Sequence, residues 1–576
     1  MCLFPLISPK IDDNSFKFIG LAHAPGYVKS LCFVMKIRQN KPKFRLIRWW
    51  PAVVIIGGFT LALTVIWSTG GDNQQDRVLR TLSGITITTI LLVAWALLFS
   101  RLAKRARLVI FGGLVAVAVL FSACFSFSQF SGNMMPLFEW RWAKRTLPTA
   151  ESQAPKPGIE PTAHPLAKLS FPQFLGPSRD CKVPGPGLAT DWTTQPPETL
   201  WRQSIGPAWS GFAVAGHHAV TQEQRDENEA VVCYNVQTGS VLWLHTDPGQ
   251  YKTAIAGEGP RATPTIHDGM VYTLGATGML NCLKLATGKP VWRRNIPTDA
   301  GLKLDDPVDQ SGLSANRNKS KEWGYASSPL MVDDKVVVSA GGENGRSLLA
   351  YNTATGEPAW AGGSSRAGYS SARLAKLHGE TQVVIFNQNG LAAHSPKDGS
   401  IRWEFNWNAP YPHVSMPVTL PNNRILISLG YGKGSKLVQV DFENGSFAVR
   451  ELWKSNRMKA KFTNLIFHNN HIFGLDDGIF ACIDAGRGHR KWKDGRYGHG
   501  QILFRGSHIL VMAENGDVVL LEADPEQHVE LTRFAALDGK TWNPPALADG
   551  YLLVRNHREA ACYKLPLAKP AEVAAK

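Results

Sequence analysis

A short phrase recurs along this chain: a small residue, five variable positions, a glycine, and a tryptophan four positions on. It runs from Cys233 through Gly239 to Trp243, from Cys282 through Gly288 to Trp292, and from Ala350 through Gly356 to Trp360. It returns at Ala393, Gly399 and Trp403 and at Cys482, Gly488 and Trp492, with a stretched copy from Gln439 through Gly445 to Trp453. Self-similarity at a period of about 40 to 50 residues restricts a chain to a solenoid, a propeller or an array. Within each unit, apolar runs are broken by glycine turns, as in Gly269 to Leu285, and helical periodicity is missing. That pattern spells a four-stranded blade, with the glycines where a tight connection needs positive φ and the tryptophan as an apolar wedge on the outer strand.

Inner strands start near Gly211, Thr263, Ser327, Ser370, Ser415, Thr463, Gly500 and Asn543, which makes eight units. The last unit lacks a terminal tryptophan, while Trp201 stands ahead of the first unit with no inner strand before it. The segment around Trp201 is therefore expected to close the ring as the outer strand of blade eight, because an open blade would expose both a face and an edge. In blade seven Pro525 and Glu526 lie near the expected turn, and Phe534 is the nearest wedge. The expected fold class is all-β: an eight-bladed propeller of four-stranded blades.

The Ala/Cys-x-Asn/Asp-x-x-Thr-Gly-x-x-x-Trp phrase resembles the tryptophan-docking repeat of the quinoprotein (pyrroloquinoline quinone, PQQ) propeller superfamily, over residues 200 to 565. That superfamily also contains the non-catalytic propeller lipoprotein of outer-membrane assembly. The leader Phe171-Pro-Gln-Phe-Leu-Gly-Pro-Ser-Arg-Asp is similar to the one preceding PQQ-like propellers of planctomycetes. The resemblance implies fold strongly and activity weakly, since one fold hosts many functions.

The chain carries 62 Lys+Arg against 46 Asp+Glu. Residues 1–150 hold 18 of the former and 5 of the latter, so the excess is membrane-flanking charge and does not indicate nucleic acid. Three apolar stretches can each span a bilayer: Trp49 to Ser68, Leu82 to Phe99, and Leu108 to about Phe127. Six basic residues (Lys36, Arg38, Lys41, Lys43, Arg45, Arg48) flank the start of the first stretch and four (Arg101, Lys104, Arg105, Arg107) separate the second from the third. The positive-inside rule then places the amino terminus inside and everything after the third helix outside, so the propeller is expected on the periplasmic or exoplasmic side of the cell membrane.

The expected division is a segment 1–34 ahead of an alternative start at Met35, a three-helix anchor over 35–130, a Pro-rich tether over 131–170, and the propeller over 171–576. Phe121-Ser-Ala-Cys124 resembles a lipoprotein cleavage box, the alternative being a plain third helix. Cys233, Cys282 and Cys482 share one repeat register in which Ala350 and Ala393 stand elsewhere. A position alternating Cys and Ala asks for a small buried residue, so these thiols, with Cys562, are expected to be unpaired.

Propeller ligands sit in the funnel around the axis. The residues at the inner-strand starts are Ser210, Arg261, Thr263, Ser327, Ser328, Tyr369, Ser370, Ser371, His413, Ser415, Lys461, Thr463, Asn464, His499 and Asn543. Arg261, Ser327, Ser370, His413, Lys461, Asn464 and His499 are the candidate ligand-binding set; the alternative is that they satisfy turn backbones. Arg261 and Lys461 lead, since a charge there is the costliest to place without a partner. No catalytic residue or metal ligand is assigned. PQQ with calcium is the cofactor the resemblance implies, but Asp299, Asp305, Asp306, Asp309, Asn316, Asn387 and Asn389 form no matching cradle, and the vicinal cysteine pair of many quinoprotein alcohol dehydrogenases is missing. The expected function is a membrane-anchored binding or scaffold module for a protein, peptide or envelope component. The alternative is a membrane-bound PQQ-dependent dehydrogenase of alcohols or sugars that passes electrons to membrane quinone.

Overall fold

A computed structural model describes residues 47–69, 73–143, 169–253, 255, 257–302 and 323–568. Segment 1–34 and residues 144–168 of the expected tether lie outside the described residues. Three helices come first: α1 (Trp50–Thr69), α2 (Gln74–Ala94), which is prolonged by a π-helical turn over Trp95–Phe99, and α3 (Lys104–Cys124). All three are long and apolar enough to cross a membrane. Their apolar side chains face outward: Val53, Leu108 and Val109 are 64%, 70% and 74% exposed. Apolar surface on that scale matches a bilayer as its solvent, not water.

Two helix boundaries differ from the apolar stretches. The second helix begins at Gln74, eight residues before Leu82, because Asn73 caps it through a side-chain oxygen that accepts from the Gln75 N–H at 3.0 Å. The third helix stops at Cys124 and not near Phe127. From Phe125 the chain alternates aromatic and polar side chains, a strand pattern, and Phe125–Phe130 pairs with Pro136–Trp140 as an antiparallel hairpin. Residues 131–143, expected to begin a spacer, are thus the tip and return arm of that hairpin. Cys124, half-buried, is the last residue of an unbroken α3.

The rest is an eight-bladed propeller of antiparallel four-stranded sheets. Inner strands open at Ala213, Thr265, Leu330, Arg373, Val418, Ile466, Gln501 and Ala546, one to three residues after the expected starts. Blade eight takes its outer strand from Glu198–Ser204, which pairs with Glu559–Lys564 so that Trp201 faces Cys562. Blade one gains a fifth strand, Ser170–Phe171, from the leader.

Each tryptophan stands opposite a small residue: Cys233 opposite Trp243, Cys282 opposite Trp292, Ala350 opposite Trp360, Ala393 opposite Trp403 and Cys482 opposite Trp492. The six cysteines among the described residues are free. The indoles do more than wedge their own blades. Trp201 lies over Gly239 of the next blade, Trp292 over Gly356 and Trp453 over Gly488, where a Cβ would stand 2.6 to 2.8 Å from the nearest ring atom. Trp243 and Trp360 lie equally close on Gly288 and Gly399. These glycines have φ between 68° and 73°, so glycine is required twice, for backbone and for space. Each indole N–H donates to a carbonyl of the following blade, as Trp243 does to Leu285 at 2.7 Å and Trp292 to Thr353 at 2.8 Å.

Blades five and seven depart from the rule. In blade five the hairpin is lengthened, so Leu437 faces Trp453 and Gly445 meets no side chain within 4 Å. Trp403, deprived of that glycine, donates to Gln382 Oε1 in its own blade at 2.8 Å. In blade seven Thr532, not Phe534, occupies the tryptophan register opposite Leu520. The leader compensates: Trp192 packs edge-on to Phe534 at 5.4 Å, and its backbone N–H donates to Thr532 Oγ1 at 3.3 Å.

The seam between blades eight and one holds a buried polar cluster. Arg555 donates to Thr221 Oγ1, Gln222 O and Gly206 O at 2.7 to 2.8 Å. Beside it Glu223 accepts from the Tyr234 hydroxyl at 2.5 Å, from the Gly206 N–H at 2.9 Å and from Arg225 at 3.2 Å.

Candidate functional site

Around the axis, the small polar residues at the inner-strand starts stitch blade to blade. Thr263 Oγ1 accepts from Gly211 N at 3.1 Å, Ser328 Oγ from Thr263 N at 2.9 Å, and Ser371 Oγ from Ser328 N at 2.9 Å. Asn464 Oδ1 continues the role on the far side, accepting from Met416 N at 2.8 Å. These residues satisfy backbone N–H groups that would otherwise be buried without partners. Their hydroxyls are a structural belt.

Above the belt lies a cavity of about 290 Å³. Its walls are aromatic: Phe174 from the leader, Trp209, Trp323, Tyr369, Tyr431, Phe462 and Trp542. The pattern has a register. Trp209, Ala326, Tyr369, Val414, Phe462 and Trp542 each immediately precede the small polar residue at an inner-strand start, and all six line the cavity. That was the legible signal for the lining, one position upstream of the residues singled out.

The roof belongs to the anchor. Gln75 at the start of α2 and Phe130, Ser131, Gly132 and Met134 at the hairpin tip close the funnel mouth. Lys461 Nζ donates to Gln75 Oε1 and to Gly132 O, both at 2.5 Å, and lies 4.7 Å from the Tyr431 ring centre. Burial lowers its pKa to about 8 against the pull of Asp477, Glu514 and Asp76. Glu514 accepts from the N–H groups of Gly132 and His499 at 2.8 and 2.9 Å and from Trp542 Nε1 at 3.0 Å. Asp477 accepts from Gln74 N at 2.8 Å, which ties the first turn of α2 to blade six. Glu139 on the return arm pairs with Arg558.

The seven candidates separate accordingly. Arg261, Lys461 and Asn464 line the cavity. Arg261 stacks on Tyr251 at 4.2 Å and donates to the carbonyls of Gly257 and Gly259; burial lowers its pKa. His499 grips the hairpin, its Nε2 3.0 Å from Asn133 Oδ1, and burial together with the Lys461 charge holds it near 4. Ser327, Ser370 and His413 are buried beside the channel and do not line the cavity. Ser327 Oγ has no hydrogen-bond partner among the described residues. Ser370 points to Ser371 O at 3.5 Å. His413 stacks on Phe386 at 4.3 Å and donates from Nδ1 to Asn387 O at 2.6 Å; burial holds it near 4, so it is neutral.

The lining tests the cofactor the resemblance implies. Calcium takes about 6 to 8 oxygen ligands, carboxylates among them. No carboxylate lines the cavity among the described residues. Asp299 is engaged by Arg294 at 2.9 Å and the Tyr351 hydroxyl at 2.8 Å, and Asn387 lies between Ser339 and Ser347. Asn389 does not line the cavity; its N–H donates to Ser365 Oγ at 3.2 Å and its carbonyl accepts from Trp407 N at 3.0 Å. Asp305, Asp306, Asp309 and Asn316 lie outside the described residues. Among the described residues, the donor set that lines the funnel does not fit a calcium-bound quinone.

Comparison with known proteins bears on the whole propeller. The profile of the family described as outer membrane protein assembly factor BamB matches residues 194–303 and 227–494. Among solved structures, BamB from Moraxella catarrhalis aligns at 14% identity over 64% of this chain and 98% of that one, with a TM-score of 0.44. Quinohemoprotein alcohol dehydrogenase from Comamonas testosteroni aligns at 12% identity over 69% and 81%, with a TM-score of 0.48. No curated protein matches the chain. The family match spans more than half of the chain and covers the docking tryptophans from Trp201 to Trp492, so this chain belongs to the PQQ-like β-propeller family described as outer membrane protein assembly factor BamB.

Proposed function

We propose that the chain is a membrane-anchored, exoplasmic binding module whose propeller funnel receives a component of the cell envelope. One observation carries the reading: the funnel mouth is roofed by its own anchor, through the first turn of α2 and the tip of the hairpin after α3. The positive-inside rule assigns both of these to the outer face, which supports an exoplasmic propeller; their contacts with it require only that all three share one side. A cavity with aromatic walls and a few placed polar groups is the general form of a ligand site. The family match adds a binding role by analogy, and the fold alone would host many others.

The test is a titration of the full chain in detergent with PQQ and calcium, followed by reduction of an artificial electron acceptor with alcohols or sugars. The expected result is no saturable binding and no dye reduction. Saturable binding lost in Arg261→Ala, together with turnover, would replace this reading with the membrane-bound PQQ dehydrogenase.

A further inference from the structure

The hairpin after α3 keeps large side chains outward. Phe127, Met135, Phe138 and Trp140 are 45% to 48% exposed and Trp142 is 62% exposed. The hairpin begins one residue beyond the end of α3. Aromatic side chains at the end of a spanning helix mark the headgroup level of a bilayer. The base of the hairpin therefore lies at headgroup level, and exposed apolar side chains continue along its arms to the tip that roofs the funnel.

Two lysine amines stand under this roof, Lys461 in the cavity wall and Lys540 beside it, and burial lowers their pKa values to about 8 and about 7. Lys461 is bonded to Gly132 O and Gln75 Oε1, while Lys540 donates to Phe130 O at 2.8 Å and lies 3.7 Å from the Trp542 ring and 4.7 Å from Trp209. Every oxygen these two ammoniums receive from the anchor is neutral. A hydrogen bond from an ammonium to an anionic oxygen is about twice as strong as one to a neutral oxygen, and a nearby anion favours the charged form of both lysines, so an anion is a competitor for the bonds they give the hairpin tip. Beneath them the walls are apolar and aromatic; Glu514 and Asp477, whose charges act on these lysines, stand behind the lining, occupied by the N–H groups of Gly132, His499 and Trp542 and of Gln74.

We propose that the funnel binds an anionic amphiphile drawn from the facing leaflet, a phosphate-headed lipid, with its head between Lys461 and Lys540 and its apolar part against Trp209, Phe462 and Trp542. The proposal rests on reading the funnel as the ligand site of a membrane-anchored module. The hairpin tip is then the lid that the headgroup displaces.

The experiment uses the full chain in lipid nanodiscs carrying phosphatidylglycerol with a photoreactive acyl chain, and mass spectrometry of the labelled peptides. Labelling is expected on the segments around Phe462 and Trp542, and to fall about tenfold when phosphatidylcholine carries the same probe. Lys461→Met should reduce funnel labelling. Met134→Glu, which puts a carboxylate in the roof without touching the propeller, should reduce it as well, with the melting temperature of each variant as the control for folding. Equal labelling by both lipids, or labelling confined to α1, α2 and α3, overturns the proposal. Displacement of the lipid by glycerol 3-phosphate alone also overturns it, assigning the site to a soluble phosphate. Displacement by PQQ with calcium, with dye reduction, overturns the binding-module reading as well; failure of lipid labelling with no PQQ binding overturns the lipid proposal alone.

Discussion

The indole N–H of Trp201 donates to the carbonyl of Val236 at 2.7 Å, joining the outer strand of blade eight to blade one. The same ring covers Gly239, and its strand pairs with the last strand of the propeller, so one residue from ahead of the first blade seals the circle. Trp201→Ala is expected to destabilise the propeller by about 3 to 5 kcal/mol, the cost of truncating a core aromatic. A melting curve of the variant that overlays the parent would refute closure by this strand.

Glycine substitutions should separate backbone strain from the docking contact. Gly445→Ala, at φ 78° with nothing within 4 Å, is expected to cost about 1 to 2 kcal/mol, the left-handed penalty alone. Gly239→Ala, at φ 68°, carries the same penalty and drives a methyl to within 2.7 Å of the Trp201 ring, so it should cost clearly more. Equal losses in chemical denaturation would show that the indole contact contributes nothing.

At the seam, Arg555 is fully buried and its guanidinium donates to the blade-one groups Thr221 Oγ1 and Gln222 O, to Gly206 O and, at 3.5 Å, to Asn556 O. Arg555→Ala should destabilise the ring by about 3 to 5 kcal/mol, because it leaves Gln222 O and Gly206 O without their donor and Glu223 facing fewer cations. Proteolysis should then begin at the seam between blades eight and one. Cleavage spread evenly over the blades would count against a lock at this position.

Acid should weaken the propeller through its buried histidines. His413 titrates near 4 in the folded chain against 6.5 in the unfolded one. The unfolded chain therefore binds more protons between those values, and stability falls as pH is lowered from 6.5 toward 4. The loss from this one group is at most about 3 kcal/mol. His413→Gln, which can still donate to Asn387 O, should flatten that share of the acid limb in melting temperatures measured from pH 7 to pH 4. An unchanged slope would mean that His413 is not held neutral.

Topology can be read with reporter fusions. Fusions after Gly71 and Gln173 should report the exoplasmic side and a fusion after Lys104 the cytoplasmic side, because α1, α2 and α3 reverse direction in turn. A cytoplasmic signal at Gln173 would sink the compartment assignment.

The residues themselves set the number of blades, the place of ring closure and the three apolar helices. Each of those rests on a local pattern: eight inner-strand starts, six of them followed by the phrase, one orphan tryptophan, and runs of apolar side chains between basic clusters. Blade seven was misread for the same reason. Phe534 is an aromatic near the right place, yet the register puts Thr532 there and lets Trp192, from far upstream, fill the space. The funnel's inner wall was half legible, because the hydroxyls at the inner-strand starts are visible in the repeat while the aromatic one position upstream alternates with Ala326 and Val414. Only the tertiary structure decided that the hairpin after α3 roofs the cavity. The contacts that hold it, Gly132 with Glu514 and with Lys461, join residues more than 300 positions apart, and no periodicity along the chain encodes a contact between an anchor and a ring that must first close.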